Sequence, residues 1–289
     1  MTMIPERTEP GRRAGLPYWM RALFSGGTLF VVLILMMAVA GMLLPAGTGD
    51  PDYLTILAAP SPAHLLGTDS LGRDVLVRVL HGAPASLAVG LTVALVSAVL
   101  GIAGGALAGY FGGWIDAVIS RVIDYFLTIP PFFFVLVAVA LLGASLFNSS
   151  LIIGVALSAT TARQVRAQFL SLREREFVAA ARLMGMSTIS IMFLEILPNA
   201  VQPAVVQSTL NAASGVLIQS GLSFLGLGDP NVAEWGSMIS ENFANGLSGW
   251  WAIIAPGVAV TLLVVGLMSL GDRLNRRFDV THLESDRRT

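Results

Sequence analysis

Hydroxyl, imidazole and carboxylate groups are the main candidates for chemistry in this chain, because it has no cysteine and its 17 basic residues are all arginine. Lack of cysteine rules out thiolate catalysis and cysteine-ligated metal. Lack of lysine rules out a Gly-Lys-Ser/Thr phosphate loop and a Schiff base, so the chain cannot hold ATP in the P-loop manner by itself. Ser223, in Gly221-Leu222-Ser223, resembles a serine nucleophile, but His64, His81 and His282 all fall outside the apolar blocks and leave it no base at membrane depth. Asp69 and Asp74 supply two carboxylates where a hard cation needs roughly six oxygens or more, so they are read as a helix cap and a partner for Arg73. No catalytic residue and no metal ligand is assigned.

The most informative charged stretch is 171–200. Arg173, Glu174, Arg175 and Glu176 would each cost roughly 2.5–3.5 kcal/mol in hydrocarbon, so this segment lies in water between two apolar blocks. Phe177, Ala181 and Met184 recur at i, i+4, i+7 and predict one apolar face, with Gly185 at the left-handed cap position. Ser187 or Thr188 then caps a new helix that runs up to Pro198. The expectation is a short amphipathic helix over 172–185, flat beside a membrane, with an apolar face free to dock.

The elements that hold this helix are membrane spans. The 289 residues are 55% hydrophobic and 12% charged, about half the charge of a soluble domain, which makes the chain an all-α polytopic membrane protein. Its net charge of −1 argues against a nucleic-acid partner. Residues 1–23 form a basic tail with Arg7, Arg12, Arg13 and Arg21, closed by the interfacial pair Tyr18-Trp19. A first span covers 24–44; Ala38-Val39-Ala40 resembles a signal-peptidase site, but the apolar run exceeds a signal core and is read as uncleaved. Residues 45–84 form an outer loop, and a core of five more spans occupies 85–271. In the second span, 85–109, Ser97, Gly101, Gly105, Gly109 and Gly113 repeat every four residues and predict a bare helix face for close packing. Arg121 and Asp124 suit an i,i+3 ion pair, and Pro130-Pro131 breaks the third span, 125–146, near its start.

The fourth span, 151–169, is too short in apolar residues for hydropathy alone to establish. Arginine placement decides for it: with six spans and an inner N-terminus, 15 of 17 arginines lie inside, against 12 at best without this span. The fifth span, 199–227, carries Gln207, Asn211 and Ser214 on one stripe, which either lines a hydrophilic path or makes interhelical hydrogen bonds. Residues 228–250 are outside and acidic, Trp250-Trp251 start the sixth span, and 272–289 form a cytoplasmic tail.

Residues 179–198 resemble the cytoplasmic signature of permease subunits of bacterial ATP-binding-cassette (ABC) importers, Glu-Ala-Ala-x3-Gly-x9-Ile-x-Leu-Pro. Ala180, Ala181, Gly185, Leu197 and Pro198 match, while Ala179 and Glu195 depart from it. His64-Leu65-Leu66-Gly67-Thr68-Asp69 with Leu71-Gly72-Arg73-Asp74, Gly109-Tyr110-Phe111-Gly112-Gly113-Trp114 leading to Ile129-Pro130-Pro131, and Gly221–Gly228 with Glu234-Trp235-Gly236 are similar to the dipeptide, oligopeptide and nickel branch, "C" type. The resemblance implies a type I importer permease fold in the bacterial inner membrane with both termini cytoplasmic. It also implies a second, different permease, two ATPases that carry ATP and magnesium, and an extracytoplasmic solute-binding protein; this chain itself binds no cofactor. Peptides are the commonest cargo, with nickel, glutathione, opines and oligosaccharides as alternatives. Arg175, Glu176, Phe177, Ala180, Ala181, Met184, Gly185 and Pro198 become the coupling residues. A secondary transporter is the rival of another class, but no inverted repeat and no mid-membrane charge supports it.

Overall fold

The computed structural model describes residues 26–45 and 50–285. The basic N-terminal tail and its Tyr18-Trp19 anchor lie outside the described residues. All named elements are helical, and the described residues contain one isolated bridge, Thr68 to Asp74, and no strand.

Helix α1 (Gly26–Leu43) leads to an outer loop and then to α2 (Val75–Phe111), α3 (Gly113–Thr128), α4 (Pro131–Leu142), α5 (Leu146–Leu172) and the short α6 (Glu176–Leu183). Next come α7 (Thr188–Phe224), α8 (Trp235–Phe243) and α9 (Trp250–Ser285). The long helices α2, α7 and α9 are each apolar enough to cross a membrane unaided. The other three expected spans need their neighbours: α1 is short, α3 and α4 meet at 93°, and α5 carries arginines in its last turns.

Several boundaries move. The second span does not begin at 85. Asp74 caps it by accepting the Val77 N–H at 3.1 Å, so ten residues of the expected loop are helical and Pro84 falls inside the helix. Pro84 has no N–H to offer the Leu80 carbonyl, and α1 uses the space: a Cβ on Gly41 would stand 2.2 Å from that oxygen. At 198 the helix also continues. A π-turn at Ile191–Ile196 takes up the missing N–H of Pro198, and α7 runs unbroken for 37 residues, about 55 Å. That exceeds a hydrocarbon core of roughly 30 Å, so one end of α7 projects into water. Likewise α9 extends past Gly271 through most of the expected tail.

The bare face of α2 carries α5. A Cβ on Gly101 would meet Thr161 Cβ at 2.5 Å, one on Gly105 the Ala162 carbonyl oxygen at 2.6 Å, and one on Gly109 Phe169 Cβ at 2.5 Å. From α5, Gly154 answers against Val96. Gly113 is not part of this contact: it sits in the turn at φ 55° with open space around it. Around this pair the described residues form four apolar clusters, the smallest joining Ile123 of α3 to Ala159 and Ala162 of α5. Ile34, Val79, Trp235 and Leu263 join the outer half, Val93, Val139, Ile153 and Leu222 the middle, and Phe169, Val178, Ile191 and Ile196 the base beneath α6.

Neighbouring glycines on α2 test this packing. Gly105→Ala is expected to lower the melting temperature in detergent, costing about 1–3 kcal/mol of overpacking. Gly104→Ala, whose Cβ meets nothing closer than Ile119 at 3.9 Å, leaves it unchanged or raised.

Candidate functional site

The base of the bundle builds the expected amphipathic helix, in shortened form. Helix α6 spans Glu176–Leu183, with Glu176 in its first turn and Arg182 in its last, each suited to the helix dipole. Arg175 precedes it in extended conformation. The helix ends in a Schellman turn: Gly185 at φ 78° donates to the Arg182 carbonyl at 3.0 Å, and Met186 donates to Ala181 at 3.1 Å. Ser187 caps the next helix by accepting the Ser190 N–H. Pro198 sits in the first turn after the π-turn.

The apolar face divides differently from the sequence pattern. Val178 and Ala181 are buried against Phe169, Ile191 and Ile196, whereas Phe177 (39% exposed), Leu183 (90%) and Met184 (75%) face outward beside Ala180. The i, i+4, i+7 count put Phe177 and Met184 with Ala181; the Val178–Ala181 i,i+3 pair makes the inward contact instead. Two salt bridges brace this base. Arg166 grips Asp116 in a fork, Nη2 to Oδ2 at 2.7 Å, and Arg163 reaches Asp124 at 3.0 Å. Asp124 is therefore paired across to α5, not along its own helix to Arg121. Arg173 donates to the Gly109 carbonyl at 3.0 Å, placing a cation at the C-terminal end of α2.

Asn211 is a buried tie between α7 and α5, only 2% exposed. Its Nδ2 donates to the Leu157 carbonyl and to Thr161 Oγ1, each at 3.1 Å. Its Oδ1 accepts from Gln207 at 3.0 Å and from Thr160 at 3.2 Å. Gln207 in turn accepts from Gln164 at 2.7 Å on the surface. Ser214 bonds back to the Leu210 carbonyl of its own helix. Thr160 and Gln164, at i and i+4 on α5, are the matching partners, and the polar second half of that helix, beginning at Arg163, is what hid the fourth span from hydropathy.

At the outer end the motif residues are structural. Glu234 is buried and accepts from Gln219 Nε2 at 2.8 Å, from Ser223 Oγ, and from the Asp229 N–H at 2.8 Å. Ser223 thus anchors a buried carboxylate. The Trp235 indole donates to the Val79 carbonyl at 2.9 Å, and Gly236 passes so close to the Ser220 carbonyl that no side chain fits. N–H groups of Asn231 and Leu146 hold the Asp229 carboxyl below the usual carboxylate range; this contribution is complete at neutral pH and is lost only as pH falls through the lowered value. Asp69, in the run expected to cap, pairs instead with Arg73, and also with Arg78, while Glu241 joins both arginines from α8. Asp74 is the helix cap and meets His64 at 3.0 Å. No group of three or more potential metal ligands occurs among the described residues.

Long spans packed through glycine, with a short amphipathic helix clamped at one end, define a type I ABC importer permease fold. The chain belongs to the family of binding-protein-dependent transport system inner membrane components, whose family model matches residues 101–280. It is 36% identical to the dipeptide transport system permease protein DppC of Alkalihalophilus pseudofirmus, over 88% of this chain and 84% of that protein. It is 35% identical to the di/tripeptide permease protein DppC of Pseudomonas aeruginosa, over 88% of this chain and 86% of that protein. The same identity and coverage hold for the probable D,D-dipeptide permease protein DdpC of Escherichia coli K12. An inward-facing structure of the MetNI methionine ABC transporter superposes with a TM-score of 0.54 at 22% identity, covering 70% of this chain and 95% of that one.

Asn211→Leu is expected to leave the Leu157 carbonyl and Thr161 without their shared donor. The cost is about 1–3 kcal/mol, read as a lower melting temperature, with transport falling only in proportion to the amount of assembled protein.

Proposed function

We propose that this chain is one of two different permease subunits that together form a peptide translocation path in the bacterial inner membrane. Loaded binding protein delivers solute from outside, and two partner ATPases drive the cycle inside. Support for the solute comes from the relatives, whose names specify dipeptides and di/tripeptides. ATP and magnesium belong to the partners, because a chain without lysine has no P-loop, and both termini of this chain lie on the cytoplasmic side. A secondary transporter would need buried coupling charges at mid-membrane, and the ion pairs of the spans cluster near their ends.

The observation that carries this reading is the outward face of α6. Phe177, Ala180, Leu183 and Met184 are presented to water on a helix whose other side is locked to the foot of α7. Three such groups on the eight residues of α6, with Met184 directly after it, are an unsatisfied apolar surface at the position of the family's ATPase-coupling signature. Closure of the ATPases pushes α6; the Schellman turn at Gly185 and the cap at Ser187 pass the push to the π-turn and Pro198; α7 then tilts as one rod. Gln207 and Ser214, both half-buried, line the path side of that rod, while buried Asn211 holds α5 to it so that the two helices move together. Nucleotide state selects between two packings, inward- and outward-facing.

The cysteine-free chain permits a direct test. Single cysteines at Phe177 and Met184, co-expressed with the ATPases, are expected to form disulfides with engineered ATPase cysteines in a nucleotide-dependent way. Reactivity of both toward an impermeant reagent from outside, with no crosslink, would overturn topology and role together. Gly185→Leu meets no neighbour but strains the left-handed turn by about 1–2 kcal/mol. It is expected to leave insertion intact and to uncouple ATP hydrolysis from peptide uptake; normal uptake refutes the role of this turn.

A further inference from the structure

Between α8, the 226–233 loop and the start of α2 lies an open polar cleft of about 410 Å³, lined among others by Arg73, Arg78, His81, Asp229, Asn231 and Glu241. Its size falls within the range of small-molecule sites, roughly 300–1,000 Å³. The two guanidinium groups that enter it are only 16% and 9% exposed and share two carboxylates of very different standing.

Asp69 is 1% exposed and saturated. Its Oδ1 accepts the N–H groups of Leu71 and Arg73 at 2.9 Å, and its Oδ2 accepts Arg73 Nε at 2.7 Å and Arg78 Nη1 at 2.8 Å. Glu241 is 38% exposed, and its hydrogen bonds come from the same two arginines: Arg78 Nη1 at 2.8 Å, Arg73 Nη2, and a long Arg78 Nη2 contact at 3.4 Å. Asp69 is a permanent counter-ion, whereas Glu241 is bound only through groups that another carboxylate could take. With Glu241 in place the two arginines and two acids are neutral; with it displaced, a single positive charge is left in a partly buried site.

Holding α8 does not require Glu241. That helix is fixed by the Trp235 indole on the Val79 carbonyl, by Asn242 accepting the Ser70 N–H at 3.0 Å, and by the Gly236 contact with α7. We infer that the Arg73–Arg78 pair is a receiving site for the free carboxylate of a peptide solute at the outer mouth, and that Glu241 occupies it as an internal surrogate until solute displaces it. Two guanidinium groups presented side by side suit the planar, two-oxygen geometry of a carboxylate. Asp229, in the same cleft, offers a carboxylate to the peptide ammonium group. The inference rests on the peptide-permease reading above.

The test uses the complete permease–ATPase complex in nanodiscs, without binding protein, and follows its melting temperature during titration with dialanine or with dialanine C-terminal amide. Dialanine is expected to raise the melting temperature of the wild type at millimolar concentration, and the amide is expected to leave it unmoved. Glu241→Gln lowers the half-saturating dialanine concentration about fivefold by removing the competing charge, and Arg73→Gln abolishes the shift. Glu241→Asp, too short to reach both arginines, moves in the same direction as Glu241→Gln and serves if the latter does not assemble. Equal shifts with acid and amide, no shift with dialanine, or weaker dialanine binding in both Glu241 variants overturn the inference. Peptide uptake by wild-type complex with its binding protein is measured in parallel. If uptake is normal and the titration is flat, only the carboxylate site fails; if no peptide is taken up, the permease reading itself fails.

Discussion

Everything in this bundle depends on how closely α5 can lie against α2. Helix α5 is the most polar of the spans, with Thr160, Gln164, Gln168 and two arginines in its second half, and by itself it would be poorly held in lipid. Gly101, Gly105 and Gly109 remove every side chain from one face of α2, so the backbone and β-carbons of α5 approach to van der Waals contact over three turns. Without a hydrophobic driving force between helices in lipid, close packing and interhelical hydrogen bonds are what remain to hold them. The glycine face supplies the first, and Asn211 supplies the second from the opposite side.

The same arrangement gives the base of the molecule a packed corner shared by three helices. Phe169 at the end of α5 and Ile191 and Ile196 in the π-turn of α7 enclose Val178 and Ala181, so α6 is seated on both long helices at once. Arg173 ties the same corner to the last carbonyls of α2. In the proposed cycle, a push on α6 acts on both of these helices together. The π-turn sits where α7 leaves this corner, and π-turns inside long helices recur at functional sites.

The outer end is assembled by a different economy, carboxylates each satisfied by several donors. Glu234 takes three, Asp69 four, and both are nearly inaccessible to solvent. Glu241 stands apart because guanidinium groups alone hold it, and that difference, not its charge, singles it out.

Composition was enough to establish an all-α membrane protein whose charged segment lies between apolar blocks, because the cost of charge in hydrocarbon is large and independent of tertiary detail. The turn at Gly185, the cap at Ser187 and the bare face of α2 were equally legible, since each follows from local stereochemistry or helical spacing. Three things were decided only in three dimensions. Periodicity cannot say which of two overlapping apolar stripes on α6 turns inward, and the partners on α5 and α7 chose Val178. Pro198 was expected to end one helix and the second span to start only at 85, but a π-turn carries the helix through Pro198 and α2 starts at Val75, with Gly41 filling the space beside Pro84. Contacts separated by many residues, such as Arg78 with Glu241, Glu234 with Gln219, and Asn211 with Thr161, leave no local trace, because nothing along the chain records which helices become neighbours.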